Sequence, residues 1–268
     1  QQHSTQFYSD CYEGAYRGFH DINVQADFVH IDDIDQWDFL YLPIPVMLTS
    51  ETSRRIRDWV AAGGTLVSEG CPAYWGDRAH VGEVQPNQGL DELFGARESY
   101  VEFTPDILDD LRFNALGAST WGGVYLQAYT PTTGEAVGWY EDGRVAAVRN
   151  SFGKGETLLL GTMPGRGYTV HDGENTCEFY RRVFEFSGKS QLVERSDERI
   201  RARVHDGDGG TYLWVANPKR QDIPVRVTVN GTWTFDSATS LRGADATVSG
   251  RTLTLTAPAR DVTVVRLV

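Results

Sequence analysis

The chain has 268 residues and a mass of 29.9 kDa, a length that predicts one large domain or two ordinary ones. Hydrophobic residues make up 40% and aromatic residues 12%, which excludes wholesale disorder and the coiled-coil and collagen classes. The formal net charge of -12 argues against a nucleic-acid partner, because phosphate binding depends on Lys and Arg. No apolar run approaches the ~20 residues of a membrane helix, so we expect a water-soluble chain with no membrane partner.

The cysteines indicate whether the chain has disulfides or a structural zinc site, and the N-terminus indicates its cellular compartment. Cys11, Cys71 and Cys177 are far apart and odd in number, which favours reduced thiols, although one pair could form a disulfide. They lack the CxxC spacing of a structural zinc site, and the sequence has neither a metal-binding His pair nor a glycine-rich phosphate loop. We therefore expect no metal and no cofactor. No signal peptide is visible, so we expect a cytoplasmic protein, with secretion left open because the natural N-terminus could lie upstream.

Charge and hydrophobic pattern both change near Gly188. Residues 1–188 hold 13 basic and 28 acidic side chains, whereas residues 189–268 hold 12 basic and 9 acidic ones. Helical and strand periodicities alternate before this point, and only short runs of period two follow it. The sequence therefore predicts two domains, 1–188 and 189–268.

The first half of the N-terminal domain reads as alternating helices and strands. A helical pattern over Phe7–Phe19 is followed by strand patterns at Ala26–Ile31 and Asp38–Leu42. Thr49 or Ser50 can then cap a helix that Gly63 ends, and Thr65–Ser68 is the next strand pattern. This order predicts a parallel α/β sheet with crossover helices.

The second half of that domain is mainly β. A long loop follows Cys71 and leads to a short helix at Leu90–Gly95, and a final helix is predicted at Cys177–Ser187. Between these helices, alternating patterns predict four strands: Val124–Tyr129, Ala136–Tyr140, Val145–Asn150 and Thr157–Gly161.

The C-terminal domain contains about seven short strand patterns. In the clearest of them, Val225, Val227 and Val229 alternate with Arg226 and Thr228, as a sheet with one buried and one exposed face requires. A small antiparallel sandwich or barrel is the simplest architecture for these patterns. The other principal patterns are Ile200–Val204, Thr211–Ala216, Thr252–Leu255 and Val262–Leu267.

Several segments together resemble the trimerisation domain of family 42 β-galactosidases. They are Asp38–Pro43, Trp59–Ser68, Gly89–Gly95 and Gly153–Thr162. That domain is related to class I glutamine amidotransferases, so the resemblance implies a flavodoxin-like α/β fold. Gly210–Asn217 and Val262–Leu267 resemble the small C-terminal β domain of the same enzymes.

The resemblance implies a function without catalysis in this chain. In family 42 the two catalytic glutamates lie on a preceding (β/α)8 barrel, which needs ~250 residues and does not fit beside the two domains assigned above. We therefore expect a non-catalytic assembly and accessory portion of a β-galactosidase-like glycoside hydrolase. Its expected partners are further copies of the chain, as a trimer, and a catalytic barrel domain or chain.

The main alternative is a hydrolase within this chain. Cys71 follows a predicted strand, as an amidotransferase nucleophile does, and His171 and Glu174 follow the last predicted strand. Pro72 argues against this alternative, because the backbone N–H after a nucleophile normally holds the oxyanion and proline has none. The spacing between His171 and Glu174 is also one residue longer than in that family. The simpler interpretation of Cys71 is that it is a small buried residue that packs as a hydrophobic side chain.

A carbohydrate-binding module is a further alternative. Tyr74 and Trp75 could stack on a small sugar while Glu69 and Asp77 accept hydrogen bonds from its hydroxyl groups. All four residues follow a predicted parallel strand, at the sheet edge where ligands of open α/β sheets bind. The simpler interpretation is that Tyr74 and Trp75 pack at a domain or subunit interface, where these residue types are enriched.

Overall fold

The structure is a computed structural model that describes residues 2–103, 110–171 and 176–268. The chain forms two compact units. The first contains the residues up to Gly18 together with Asp27–Gly188, and the second contains Phe19–Ala26 together with Lys189–Val268. The segment Phe19–Ala26 thus belongs with residues that follow it by more than 160 positions, a grouping that no local sequence pattern signals.

The described residues form five α-helices, and those predicted from sequence are confirmed. Helix α2 begins after Thr49, whose hydroxyl accepts from the N–H of Thr52 at 3.1 Å, and ends at Gly63, which has φ 131°. Its buried face carries Ile56, Trp59 and Val60. The helices are α1 (Gln2–Asp21), α2 (Ser50–Ala62), α3 (Leu90–Phe94), α4 (Pro164–Val170) and α5 (Thr176–Phe186).

A mixed seven-stranded sheet is the centre of the first unit. Its strand order is β1-β2-β9-β8-β7-β4-β5, and β3 pairs with β6 in a separate antiparallel ribbon. The strands are β1 (Phe39–Leu42), β2 (Thr65–Ser68), β3 (Ala96–Phe103), β4 (Arg112–Ala115), β5 (Ala118–Trp121), β6 (Tyr125–Pro131), β7 (Glu135–Tyr140), β8 (Val145–Phe152) and β9 (Gly155–Leu160).

The prediction of a parallel sheet is correct for only part of this sheet. Strands β1, β2 and β9 are parallel neighbours, whereas β8, β7, β4 and β5 continue the sheet antiparallel. The strand predicted at Ala26–Ile31 is wrong, because this segment is irregular and leads into a 3₁₀ helix, Ile31–Gln36. Its apolar residues Val29 and Ile31 pack on the core without pairing to a strand.

One apolar core lies between α2, α3 and the sheet. The central strands of the sheet are covered on both faces, so they carry consecutive buried apolar residues, as in Leu158–Leu160 of β9. The buried members of this core include Ile56, Trp59, Val60, Leu66, Leu90, Leu93, Phe94, Val148 and Leu159.

The second unit is an antiparallel sandwich, as predicted. Its two four-stranded sheets have the orders β10-β13-β16-β15 and β11-β12-β17-β14. Buried residues from both sheets form one apolar cluster. Val225, Val227 and Val229 are buried, whereas Arg226 is exposed. The strands are β10 (Val193–Arg195), β11 (Arg201–Gly207), β12 (Gly210–Asn217), β13 (Ile223–Val229), β14 (Ala238–Arg242), β15 (Thr247–Ser249), β16 (Thr252–Ala257) and β17 (Asp261–Leu267).

Candidate functional site

Glu69 lies at the carboxyl end of β2 and is completely buried. Its Oε1 accepts from the hydroxyl of Tyr41 at 2.9 Å and from the N–H of Gly165 at 2.9 Å. Its Oε2 accepts from the N–H of Ile44 at 3.0 Å. The carboxylate therefore joins β1, the loop after it and the start of α4, and its position is fixed by three donors.

Burial dominates the electrostatics of this carboxyl group. Removal from water raises the pKa of Glu69 to about 7, although the donors from Gly165, Ile44 and Tyr41 each favour the charged form and lower the pKa. Such a group changes its charge near neutral pH. A fully buried carboxyl, however, cannot accept a hydrogen bond from a sugar that enters from solvent, so the geometry assigns Glu69 a structural role.

A buried ion pair near Glu69 was not anticipated from the sequence. The guanidinium of Arg166, in α4, pairs with the carboxylate of Asp10, in α1, and both side chains are largely buried. The hydroxyl of Thr169 also donates to the backbone carbonyl of Asp10 at 2.8 Å. Gln6 and Asp10 are spaced i, i+4 on α1 and hydrogen-bond to each other, which the sequence could have indicated. Nothing in the sequence identifies Arg166, 156 residues away, as the partner of Asp10.

Cys71 stands in a sharp turn after β2 and has φ 58°, a region that non-glycine residues rarely occupy. Its N–H donates to Oε1 of Gln127 at 2.7 Å, and the amide of Gln127 donates to Glu98 at 2.6 Å. Its thiol is fully buried, and burial raises the pKa of Cys71 well above the usual value of a thiol. The backbone turn suits a nucleophile, whereas the buried and protonated thiol does not.

The other two members of the hypothetical triad lie in different surroundings or outside the described residues. The His171 ring stacks on Trp121 with centroids 4.0 Å apart, and its Nε2 lies 4.0 Å from a carboxylate oxygen of Asp110. Glu174 lies outside the described residues. Cys71 instead packs in an apolar cluster with residues that include Ile44, Tyr125 and Met163.

Of the four candidate sugar-binding residues, the structure brings Tyr74 and Trp75 into contact, whereas Asp77 and Glu69 have other partners. The rings of Tyr74 and Trp75 meet edge to face with centroids 5.3 Å apart, and both are half-buried. The carboxylate of Asp77 is exposed and accepts from the N–H of Ser50 at 3.2 Å, and this hydrogen bonding lowers the pKa of Asp77. Asp77 thus supports the start of α2, while Glu69 is buried beneath the surface.

The described residues contain no group of three or more His, Cys, Asp or Glu side chains arranged to hold a metal ion. None of the helices described is long and apolar enough to cross a membrane. Cys11, Cys71 and Cys177 are all free thiols.

Known proteins resemble this chain in both sequence and fold. The β-galactosidase BgaB of Geobacillus sp. (strain Y412MC61) is 28% identical over 229 residues, which are 83% of this chain and 33% of that protein. A catalytic mutant of Gan42B, a GH42 β-galactosidase from G. stearothermophilus, matches 98% of this chain with a TM-score of 0.77 at 18% identity, over 37% of its own length. The β-galactosidase from Bacillus circulans sp. alkalophilus matches 97% with a TM-score of 0.70 at 19% identity, over 38% of its length.

These matches differ in what they establish. The solved structures are too distant in sequence to show more than a shared fold. The chain spans about a third of the length of the curated relatives it matches. A family model described as the β-galactosidase trimerisation domain matches residues 2–185, which confirms the resemblance seen in the sequence. The chain belongs to the β-galactosidase trimerisation domain family.

Proposed function

We propose that this chain is the assembly and accessory portion of a β-galactosidase-like glycoside hydrolase. It holds subunits together as a homotrimer, and the catalytic barrel lies in another domain or chain. The observation that carries this proposal is the family match over residues 2–185 in a chain that corresponds to a third of a β-galactosidase. In the whole protein, two barrel carboxylates would hydrolyse a terminal β-galactoside.

The domain division belongs to the same proposal. Residues 1–188 would form the trimerisation domain and residues 189–268 the small β domain, with the segment Phe19–Ala26 of the first range packed in the second unit. A flavodoxin-like origin of the first domain is supported by β1, α2 and β2, which form a β-α-β unit with parallel strands, and by β9, which pairs parallel to β2.

The chemistry of the buried groups supports an accessory role. Glu69 is fully buried and its oxygens accept three hydrogen bonds, so it has no access to a glycosidic oxygen. The carboxylate of Glu98 accepts from the amide of Gln127. Glycoside hydrolysis needs two carboxyl groups that flank the substrate, one of them able to donate a proton to it.

An activity assay tests the accessory role. The purified 268-residue chain is expected to release no product from an aryl β-galactoside at an enzyme-like rate, because it lacks the barrel carboxylates. Turnover that persists through further purification would contradict the proposal. A Cys71→Ala variant serves as the companion test, since loss of any amide- or ester-hydrolase activity in that variant would favour the amidotransferase-like alternative.

Binding of a small sugar is tested by the fluorescence of Trp75. The chain has 7 Trp residues, so the difference between the wild type and a Trp75→Phe variant isolates its signal. We expect no saturable change on titration with a galactoside. A saturable change that disappears in Trp75→Phe would identify a binding module.

A further inference from the structure

Helix α1 ends in a segment that belongs to the second unit. This segment, Phe19–Ala26, contains the last turn of α1 and the residues after it, and we call it the edge segment. The N–H of Asn23 donates to the carbonyl of His20 at 2.9 Å, and Asn23 has φ 68°. The N–H of Val24 donates to the carbonyl of Phe19 at 2.9 Å. The helix therefore ends in a Schellman motif, which fixes the shape of the turn.

Side chains from the C-terminal part of the second unit hold the backbone carbonyls of this turn. Gln191 donates to the carbonyl of Ile22 at 2.8 Å, and Arg195 donates to that of Asp21 at 3.0 Å. The guanidinium of Arg201 also pairs with the carboxylate of Asp21 at 2.9 Å. The last carbonyls of a helix lack intrahelical donors and carry a partial negative charge, so cationic donors stabilise this end of α1.

The side chain of Asn23 joins the two sheets of the sandwich. Strands β10 and β11 each stand at the end of the strand order of their sheet, so one side of each faces no other strand in the described part of the chain. Asn23 donates to the carbonyl of Val193 in β10 at 2.8 Å and accepts from the N–H of Ala202 in β11 at 3.0 Å. A side-chain amide has the donor and the acceptor of a peptide group, so Asn23 takes the place of a neighbouring strand here.

Burial shows that the edge segment is an internal part of the second unit. Phe19, Ile22 and Asn23 are all buried. Unpaired N–H and C=O groups at a sheet edge pair readily with other chains, and native sheets cover such edges. The cover at β10 and β11 comes from a segment that precedes them by about 170 positions, as the hydrogen bond between Asn23 and Val193 shows.

We propose that the edge segment closes the open side of β10 and β11, and that it opens and closes with the second unit although it is continuous in sequence with α1. The range 189–268 is then an incomplete domain, because one of its edges is supplied by residues 19–26. This inference goes beyond the proposed assembly function and does not depend on it.

Native-state hydrogen exchange of the whole chain tests this assignment. Urea below the unfolding transition reveals which amides open together, because members of one cooperative unit converge on one opening free energy. We expect the amides of Asn23 and Val24 to converge with those of β12, the strand next to β11. The amides of residues 11–18 of α1, which belong to the first unit, should follow β9 instead.

Two matched variants distinguish the units even where their stabilities are equal. Asn217 in the second unit and Asn150 in the first are both buried, and the amide of each donates to two backbone carbonyls. Asn217→Ala should raise the exchange rates of the edge segment and of β12 together, by about tenfold or more, because both hydrogen bonds are lost. It should leave residues 11–18 unchanged, and Asn150→Ala should leave the edge segment unchanged.

The proposal has two outcomes that would overturn it. One is an edge segment whose exchange follows that of residues 11–18 in urea or in Asn150→Ala. The other is an Asn217→Ala variant in which β12 opens while Asn23 and Val24 stay protected. The urea series on the wild type needs no substitution, so it decides the question if a variant does not fold.

Discussion

The N–H of Ile44 donates to Oε2 of Glu69 at 3.0 Å, and Ile44 is held at φ 43°. A β-branched residue in the left-handed region carries backbone strain of about 1–3 kcal/mol. The buried carboxyl group offsets part of this strain, because it gives the Ile44 N–H an acceptor in a place that water does not reach. The loop after β1 therefore depends on an acid at the end of β2.

The first prediction concerns the pH dependence of stability. The pKa of Glu69 is about 7 in the folded chain against 4.5 for the free side chain, so the folded state binds the proton more tightly. This contribution to the free energy of unfolding is fully present below pH 4.5 and is lost as the pH rises through about 7. The shift corresponds to about 3 kcal/mol. Urea unfolding at several pH values measures it.

The Glu69→Gln variant is the control for that measurement. It removes the titrating group, so we expect the difference in unfolding free energy between wild type and variant to change between pH 5 and pH 8. At pH 5 the variant should be less stable than the wild type, because its amide NH₂ would face one of the backbone donors, with a cost of about 1–3 kcal/mol. This difference should shrink or reverse by pH 8, where the wild type has lost the contribution of Glu69. A pH-independent difference would show that Glu69 does not titrate in this range.

The second prediction concerns the approach of α1 to α4. A Cβ on Gly14 would overlap the carbonyl oxygen of Gly165, which is backbone and cannot turn aside. Replacing Gly by Ala in a helix gains about 1 kcal/mol of propensity, but overpacking typically costs about 1–3 kcal/mol. We expect Gly14→Ala to lower the melting temperature.

A matched glycine provides the comparison for Gly14→Ala. A Cβ on Gly207 would lie 3.7 Å from the Tyr212 ring, an ordinary contact, so Gly207→Ala should change stability little. Equal melting temperatures for the two variants would contradict the close packing of α1 against α4.

The third prediction concerns thiol reactivity. Cys11 and Cys71 are fully buried, and burial raises the pKa of both thiols well above the usual value. Cys177 is partly exposed. We expect a thiol-specific disulfide reagent to modify Cys177 first in the native chain and the other two only after denaturant is added. Mass spectrometry of peptides identifies the labelled residue, and rapid native labelling of Cys71 would contradict its structural role.

The fourth prediction concerns Asn23 in the second unit. Its side chain donates to the carbonyl of Val193 at 2.8 Å and accepts from the N–H of Ala202 at 3.0 Å and from Arg203 at 2.8 Å. Asn23 is buried and has φ 68°. Asn23→Gly keeps this backbone conformation, so it should cost only the hydrogen bonds, about 2 kcal/mol.

The backbone contribution at position 23 is isolated by a second variant. Asn23→Ala loses the same hydrogen bonds and also places a Cβ in the left-handed region, so we expect it to be less stable than Asn23→Gly by about 1 kcal/mol. Urea unfolding of both variants measures the difference. Equal stability of the two would contradict the strained conformation.

Local patterns predicted much of this fold, because they reflect forces that act over a few residues. The cap at Thr49, the stop at Gly63 and the alternation from Val225 to Val229 are each fixed by their neighbours in sequence. Local patterns did not predict which segments pair as strands of the sheets. Strands β3, β4 and β5 were missed, and the apolar segment Ala26–Ile31 was taken for a strand although it packs without pairing.

The candidate site shows the same limit. Sequence placed Glu69 and Cys71 correctly after a strand, but their burial depends on partners far along the chain. Gly165, which follows Glu69 by 96 positions, supplies one of its donors, and Gln127 fixes the backbone of Cys71. An exposed acid and a buried one have the same sequence pattern, so only the fold reveals which of them can meet a ligand.

The native mass in solution tests the central claim most directly. If the chain holds three subunits together as proposed, light scattering coupled to size exclusion should give about 90 kDa, three times the 29.9 kDa of one chain. The mass should fall toward that of one chain only on dilution. A mass of 29.9 kDa at every concentration would contradict the account.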